Sequence, residues 1–187
     1  MMIEIRIHGR GGQGVVVASK VMASAFFKQG KWVQSFPSFG AERRGAPVAA
    51  FTRVDDQEIT LRCSVRSPNH LIVLDQNLIR NADITQGLKE GGWIVVNSEK
   101  DPEDFSFSSQ FHVATVDASG IAVRRGLGSK SSPIVSTIIL GAFARATKLL
   151  KIPDVLKAIR ENVPVYIDQN VAGAREAYQR VKIERSA

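Results

Sequence analysis

The chain alternates short apolar segments with helical or polar stretches. Residues 2–8 alternate apolar and polar side chains, a pattern typical of a half-buried strand. The later segments are more uniformly apolar, as in strands buried on both faces of a sheet. This alternation predicts an α/β fold, a three-layer Rossmann-like sandwich with a mainly parallel sheet. The predicted strands of that sheet are residues 2–8, 31–36, 70–75, 92–97 and 110–116.

Helices are predicted from apolar periodicity and from residues that favour helix ends. Lys20, Ser24 and Lys28 form a narrow polar stripe on an otherwise apolar helix, and Gly30 is a natural stop for it. Ser132 and Pro133 form an N-cap and proline pair that favours a helix start, so the last third should be helical. No repeat or linker interrupts the chain, and we expect a single domain over residues 1–187. The predicted helices are residues 14–30, a segment near 77–90, 134–150, 153–162 and 168–181.

A local antiparallel hairpin is predicted inside the α/β pattern. Residues 46–54 and 58–65 are both rich in β-branched and apolar side chains. They flank Asp55, Asp56 and Gln57, which are typical of a short polar turn.

A glycine-rich loop follows the first predicted strand. It places four glycines in six residues, with the spacing Gly9-x-Gly11-x-x-Gly14 of dinucleotide-binding loops. Such loops also need an acidic residue about 20 positions on, at the end of the second strand. That strand ends with Gln34 and Ser35, and Glu42 comes 28 residues after Gly14. Close packing of the first helix on the sheet accounts for Gly14, whereas the whole loop, with Gln13, is better explained by close approach of a ligand or another chain.

A second unusual stretch, residues 37–47, reads PSFGAERRGAP. Phe39, Glu42, Arg43 and Arg44 lie among two prolines and two glycines, and a guanidinium pair suits phosphate or carboxylate groups. A solvated turn explains this stretch equally well from the residues alone. The basic stretch at 124–132 resembles a phosphate loop without matching one, and a solvated basic patch is the better interpretation of it.

Composition limits the chemistry that the chain can perform alone. Cys63 is the only cysteine, whereas a cubane iron–sulfur cluster usually takes four thiolates. The three histidines show no metal-site spacing, so we expect any metal or redox centre on another chain. The formal charge of +7 favours anionic partners. Without a signal peptide or a membrane-length apolar run, we expect a cytoplasmic protein.

Four motifs in order and spacing carry a family resemblance. They are GRGGQGVVVASKVMASA, GKWVQSFPSFGAERRGAPVAAFTRV, LIVLDQ and GGWIVVNS. Together they resemble the gamma subunit of 2-oxoacid:ferredoxin oxidoreductases, the pyruvate synthase group. The resemblance extends across nearly the whole chain, and the C-terminal helices fit the family layout only loosely.

The resemblance implies a role inside a multisubunit enzyme. Such complexes oxidatively decarboxylate a 2-oxoacid, here preferably pyruvate, form an acyl-CoA and reduce ferredoxin. Thiamine diphosphate, magnesium and the clusters are expected on thiamine-binding alpha and beta subunits and a ferredoxin-like delta subunit, with no cofactor bound by this chain alone. By this resemblance the chain would contribute to assembly and to the wall of the CoA or active site, with no catalytic residue of its own.

The expected contact residues toward companion subunits or CoA come from the two loops. We expect these loops to lie together at the carboxyl end of the sheet, where α/β proteins build their sites. The contact residues are Gly9, Gly11, Gly12, Gln13, Gly14, Phe39, Glu42, Arg43 and Arg44.

Two other classes of function stay open from the sequence. A free-standing Rossmann-like oxidoreductase that binds NAD or a flavin is suggested by the glycine spacing. A nucleic-acid-binding module is suggested by the charge alone, and no helix-turn-helix or aromatic RNA motif supports it. We expect neither a nucleic-acid nor a membrane partner.

Overall fold

Four parallel strands form the centre of the sheet. A computed structural model describes the fold for residues 1–38, 45–61, 63–81 and 83–183. The central strands are short and apolar, and each matches a predicted segment to within a few residues. They are β1 (Ile3–Arg10), β4 (His70–Val73), β5 (Trp93–Asn97) and β6 (His112–Val116).

Antiparallel strands extend both sides of this parallel centre. On one side β3 (Pro47–Asp55) pairs antiparallel with both β1 and β2 (Trp32–Ser38). On the other side the short β9 (Lys182–Ile183) pairs antiparallel with β6. The order across the seven-stranded sheet is therefore β2-β3-β1-β4-β5-β6-β9. The prediction of a mainly parallel sheet with a local antiparallel excursion is confirmed.

The longer helices pack on one face of the sheet. They share one apolar cluster with Ile5 and Ile7 of β1 and Ile72 of β4. The opposite face is covered mainly by irregular segments that bring Ile84, Leu88 and Phe105 against it, so the two outer layers are unequal. The helices of the described residues are α1 (Val15–Lys28), α2 (Leu78–Asn81), α3 (Ala118–Arg124), α4 (Ile138–Thr147), α5 (Ile152–Asn162) and α6 (Ile167–Arg180). None of these helices combines the length and the apolar character needed to cross a bilayer.

The first helix is buried over most of its circumference, as predicted. It ends where expected, because Gly30 adopts a left-handed φ of 76° just after the C-cap. Its exposed side is less polar than the sequence stripe suggests, since Val17 and Phe27 are exposed beside Lys20.

The predicted hairpin at 46–65 is wrong in its second arm. β3 pairs with β1 and β2, and the described residues of 58–65 form no strand. This segment is held to the sheet by side chains, because Arg53 donates to the carbonyl of Cys63 at 2.7 Å and Gln34 donates to that of Leu61 at 3.0 Å. The Arg53 side chain is buried and pairs with Glu4 at 2.9 Å, so its donors are already directed at fixed partners.

The helix predicted near 77–90 shortens to the four residues of α2. Asp83 accepts hydrogen bonds from the Thr85 backbone and hydroxyl, which favours a turn over a continuing helix. Gly87 follows with a φ of 76°, and a Cβ built there would lie 2.2 Å from the Arg66 carbonyl oxygen. The apolar residues of this segment cover the sheet without helical regularity.

The helix start predicted at Ser132–Pro133 is also wrong. These residues form β8, which pairs with β7 (Gly128–Ser129) in a two-residue ladder. The tight turn uses a left-handed Gly128, where a Cβ would lie 2.3 Å from the Ser132 carbonyl oxygen. The α4 helix begins six residues after Ser132, at Ile138.

Candidate functional site

The glycine loop reverses the chain between β1 and α1 by bonding to itself. The Arg10 backbone N–H donates to Oε1 of Gln13 at 2.8 Å, and the Gln13 N–H donates to the Arg10 carbonyl at 3.0 Å. The role of Gln13 in closing this turn was not apparent from the sequence.

The glycines of the loop are needed for different reasons. A Cβ on Gly9 would lie 2.5 Å from Val15 Cγ2, so Gly9 allows the helix to pack closely on the strand. Gly14 has a φ of 79°, and a Cβ there would lie 2.9 Å from Ser136. Gly12 has a φ of 95° and nothing within 4 Å of its Cβ position. Packing therefore explains Gly9 and Gly14, whereas Gly12 provides backbone conformation at an exposed position.

The glycine loop is hydrogen-bonded to the end of the second unusual stretch. The Gly11 N–H donates to the Ala46 carbonyl at 2.9 Å, and the Gly45 N–H donates to the Gly11 carbonyl at 3.2 Å. Arg10 Nη1 adds a bond of 3.1 Å to the Gly45 carbonyl. Gly45 and Ala46 thus lie against the glycine loop at the carboxyl end of β1. Phe39, Glu42, Arg43 and Arg44 lie outside the described residues.

An ion pair connects the glycine loop to the next parallel strand. Arg10 Nε lies 2.7 Å from Oδ2 of Asp75, which follows β4. Burial raises the pKa of Asp75, but hydrogen bonds from the Asn77 backbone and the Arg10 side chain outweigh it and hold that pKa below its ordinary value. The sequence signal that could have identified Asp75 is its position as the first polar residue after the apolar segment of β4.

Further polar side chains brace the same edge of the sheet. Asn97 at the end of β5 donates to the Leu74 carbonyl and to Ser119 Oγ, each at 2.9 Å. Ser98 donates to Gln76 Oε1 at 2.7 Å. The side chains of Asn97 and Ser98 are therefore hydrogen-bonded to neighbouring residues and are not free polar groups. The edge that they brace forms a rigid platform.

The histidines of β1 and β4 are half-buried, uncharged groups. Burial lowers the pKa of His8 and of His70 to about 4, so both rings are neutral near pH 7. His70 Nδ1 accepts a hydrogen bond from the Trp93 backbone. Among the described residues, no three His, Cys, Asp or Glu side chains come together as a metal site.

The basic stretch at 124–132 does not gather its cations into a phosphate loop. Arg124 and Arg125 point to Glu176 of α6, at 3.2 Å and 2.6 Å. Lys130 is exposed at the turn between β7 and β8. The two arginines thus fix α3 to α6.

Comparisons with known proteins agree on one family. Residues 4–180 match the family described as pyruvate ferredoxin/flavodoxin oxidoreductase. A pyruvate/ketoisovalerate oxidoreductases common subunit gamma from Thermococcus kodakarensis is 46% identical over 187 residues, which covers 97% of this chain and 98% of that protein. A pyruvate synthase subunit PorC from Methanothermobacter marburgensis is 46% identical over 183 residues, with 97% and 98% covered. The crystal structure of the pyruvate oxidoreductase subunit PORC from Thermotoga maritima has a TM-score of 0.83 and 35% identity, and covers 98% of this chain and 99% of that chain.

Proposed function

Because this chain belongs to the pyruvate ferredoxin/flavodoxin oxidoreductase family, as the gamma subunit of a 2-oxoacid:ferredoxin oxidoreductase, we propose that it supplies assembly surface and not the chemical step. The complex would decarboxylate a 2-oxoacid oxidatively, form an acyl-CoA and reduce ferredoxin. Thiamine-binding alpha and beta subunits and a ferredoxin-like delta subunit would be its companions.

The side chains available for metal binding or acid–base chemistry support the proposal that the chemical step takes place on other subunits. A cluster bound through four cysteines needs four thiolates, and Cys63 is the only cysteine. Among the described residues at the carboxyl edge of the sheet, Asp75 is already paired with Arg10 and is not a free acid or base. We therefore assign thiamine diphosphate, magnesium and the iron–sulfur clusters to the companion subunits.

The observation that carries the proposal is the hydrogen bonding of Gly11 to Gly45 and Ala46. It joins two glycine-rich segments into one surface at the carboxyl ends of the parallel strands, the usual position of sites in α/β proteins. Glycines there let another chain approach the backbone closely, as at the exposed Gly12. We infer that companion subunits contact this surface.

CoA is a second candidate for the same surface. Arg43 and Arg44 offer guanidinium groups that suit its phosphates, and they suit carboxylates of a companion subunit equally. We favour the subunit, because arginine and aromatic residues are enriched in the cores of protein interfaces. In either case Phe39, Glu42, Arg43 and Arg44 act with the glycine loop.

Pyruvate is the proposed substrate of the complex. The relative from Methanothermobacter marburgensis is named as a pyruvate synthase subunit. The relative from Thermococcus kodakarensis is named as a subunit common to pyruvate and ketoisovalerate oxidoreductases. A gamma subunit shared by two activities supports the view that other subunits read the side chain of the 2-oxoacid.

Reconstitution tests the proposed function. The companion subunits are assayed for pyruvate-dependent viologen reduction with thiamine diphosphate, magnesium and CoA, with and without this chain. We expect no turnover by this chain alone and a clear gain when it joins the companion subunits. Turnover by the purified chain alone would overturn the assignment.

The alternative of a free-standing NAD- or flavin-binding oxidoreductase gains no support. In dinucleotide-binding folds the second parallel strand lies beside the first and carries the acidic residue that holds the ribose. Here the antiparallel β3 lies between β1 and β2, so the end of β2 is moved away from the glycine loop. The cytoplasmic location stays a prediction.

A further inference from the structure

Two consecutive apolar side chains are exposed where the chain turns into α6. Val165 and Tyr166 are 58% and 56% exposed. Tyr166 has a left-handed φ of 52°, a conformation that is uncommon and costly for a bulky residue other than glycine. Neither the exposure nor the strain helps the isolated chain to fold.

A buried amide holds this elbow, defined as Val165 and Tyr166, in place. Asn170 is 3% exposed, and its Nδ2 donates to the Tyr166 carbonyl at 2.8 Å and to the Val165 carbonyl at 3.4 Å. Its Oδ1 accepts a hydrogen bond of 2.6 Å from Thr137 Oγ1. The elbow is therefore presented rigidly, which lowers the entropy lost when a partner binds it.

The elbow belongs to the same end of the molecule as the glycine loop. Thr137, which bonds the amide of Asn170, directly follows Ser136, and Ser136 faces Gly14. Val17 and Ile134, near these contacts, are 41% and 39% exposed. Exposed apolar side chains therefore flank Gly14 and Ser136 in the chain, in addition to those of the elbow.

A groove along α6 is lined by more arginines than carboxylates, three against the two of Asp168 and Glu176. The groove has a volume of about 450 Å³, and its arginines are Arg125, Arg175 and Arg180. Three guanidinium groups, those of Arg124, Arg125 and Arg180, share the carboxylate of Glu176. Arg175 is exposed and forms no ion pair with any residue that the structure describes.

The charge favours one kind of partner. The chain carries a formal charge of +7, so a second copy would be repelled and an acidic surface attracted. Tyrosine is also among the residues that most often dominate binding energy at interfaces.

We propose that the elbow is a second anchor of the assembly, inserted into an apolar recess that a companion subunit rims with carboxylates. This inference rests on the proposed function and adds a contact apart from the two glycine-rich segments. The strained Tyr166, the Asn170 amide and Arg175 act together, the first as anchor, the second as support and the third as electrostatic guide.

The variant Tyr166→Gly separates binding from folding. Glycine removes the aromatic ring and adopts a positive φ without strain, so the isolated chain should melt at the same or a higher temperature. Sedimentation velocity of the assembled complex over a dilution series measures release of the gamma subunit. We expect Tyr166→Gly to weaken its retention at least tenfold. An unchanged dissociation constant would overturn the proposal.

Phe27→Gln is the matched control, because Phe27 is 70% exposed near the C-terminal end of α1. It should leave retention unchanged, and an equal loss in both variants would refute a specific anchor at the elbow. Arg175→Glu tests the charge of the partner surface and should weaken retention of the gamma subunit in the complex more at low salt than at high salt. Tighter binding of this variant to the complex would exclude an acidic partner. If the wild-type chain fails to join the companion subunits, the proposed function fails; if only Tyr166→Gly behaves as wild type, this inference alone fails.

Discussion

Arg10 and Asp75 join the ends of two neighbouring parallel strands, with 2.7 Å between Nε and Oδ2. The same arginine donates to the carbonyl of Gly45. One side chain therefore ties the glycine loop both to the platform of strand ends and to the second glycine-rich segment. The shape of the proposed contact surface depends on it.

Asp75→Asn should destabilise the chain in a pH-dependent way. The pKa of Asp75 is held below its ordinary value, so its contribution is complete above the unfolded pKa of about 3.9 and is lost as pH falls through the folded pKa. We expect a loss of about 1 kcal/mol at pH 7 that shrinks below about pH 4. Urea unfolding at several pH values measures this.

Asp56→Asn is the matched control for that experiment, since Asp56 pairs with Lys31 at the exposed surface. It should change stability little at pH 7. A constant difference between wild type and Asp75→Asn at all pH values would contradict the ion-pair explanation.

Gly14→Ala should destabilise the chain by about 2 kcal/mol, because strain at a positive φ adds to the contact with Ser136. Gly91→Ala is a control with a φ of 71° and nothing within 4 Å of its Cβ position. It should lose only about 1 kcal/mol, the cost of the backbone conformation. Denaturant unfolding measures these changes, and adding Ser136→Gly to Gly14→Ala should recover part of the lost free energy of unfolding. Equal losses for Gly14→Ala and Gly91→Ala would argue against close packing at Ser136.

Gly12→Asn should weaken assembly more than folding. Asparagine tolerates positive φ better than other residues with a Cβ, and the space in front of Gly12 is open. A side chain there would hinder a partner that approaches the loop backbone. Copurification with the companion subunits should fall while the melting temperature of the isolated chain changes little; intact copurification would place the partner elsewhere.

Changing Arg43 and Arg44 together to alanine distinguishes the two proposed ligands. If a companion subunit covers them, the double variant should copurify poorly, because carboxylates of that subunit would be left unpaired in the interface. The complex that still assembles should keep its KM for CoA. If CoA is the ligand, the KM for CoA should rise at least tenfold, or about 1.4 kcal/mol. Lys157→Ala with Arg160→Ala, an exposed basic pair on α5, controls for net charge and should change neither quantity.

The central strands could be predicted from the sequence because a strand that is buried on both faces consists of a short, nearly continuous run of apolar residues. The hairpin failed because pairing is a tertiary property: β3 pairs with strands on both sides, and the buried Arg53 holds residues 58–65 by side-chain bonds. The helix α3 was missed, although Asp117 accepts a hydrogen bond from the Gly120 backbone as an N-cap. Two-residue strands such as β9 carry too little periodicity to be recognised.

The proximity of the two glycine-rich segments was predictable from chain order, since both follow strands that end at the same edge. The hydrogen bonds of Gly11 confirm this proximity for Gly45 and Ala46. The turn closed by Gln13 and the pair of Arg10 with Asp75 were not predicted, because they depend on side-chain positions that no spacing rule fixes. The elbow at Tyr166 was missed for the same reason.

Hydrogen exchange measured by mass spectrometry tests most directly whether companion subunits cover the edge formed by the two glycine-rich segments. Exchange is compared between the isolated chain and the assembled complex. Peptides from residues 9–17 and 37–47 should exchange markedly more slowly in the complex, while the turn at residues 28–31, after the far end of α1, should be unchanged. Unchanged exchange in both segments, with protection elsewhere on the chain, would contradict the account.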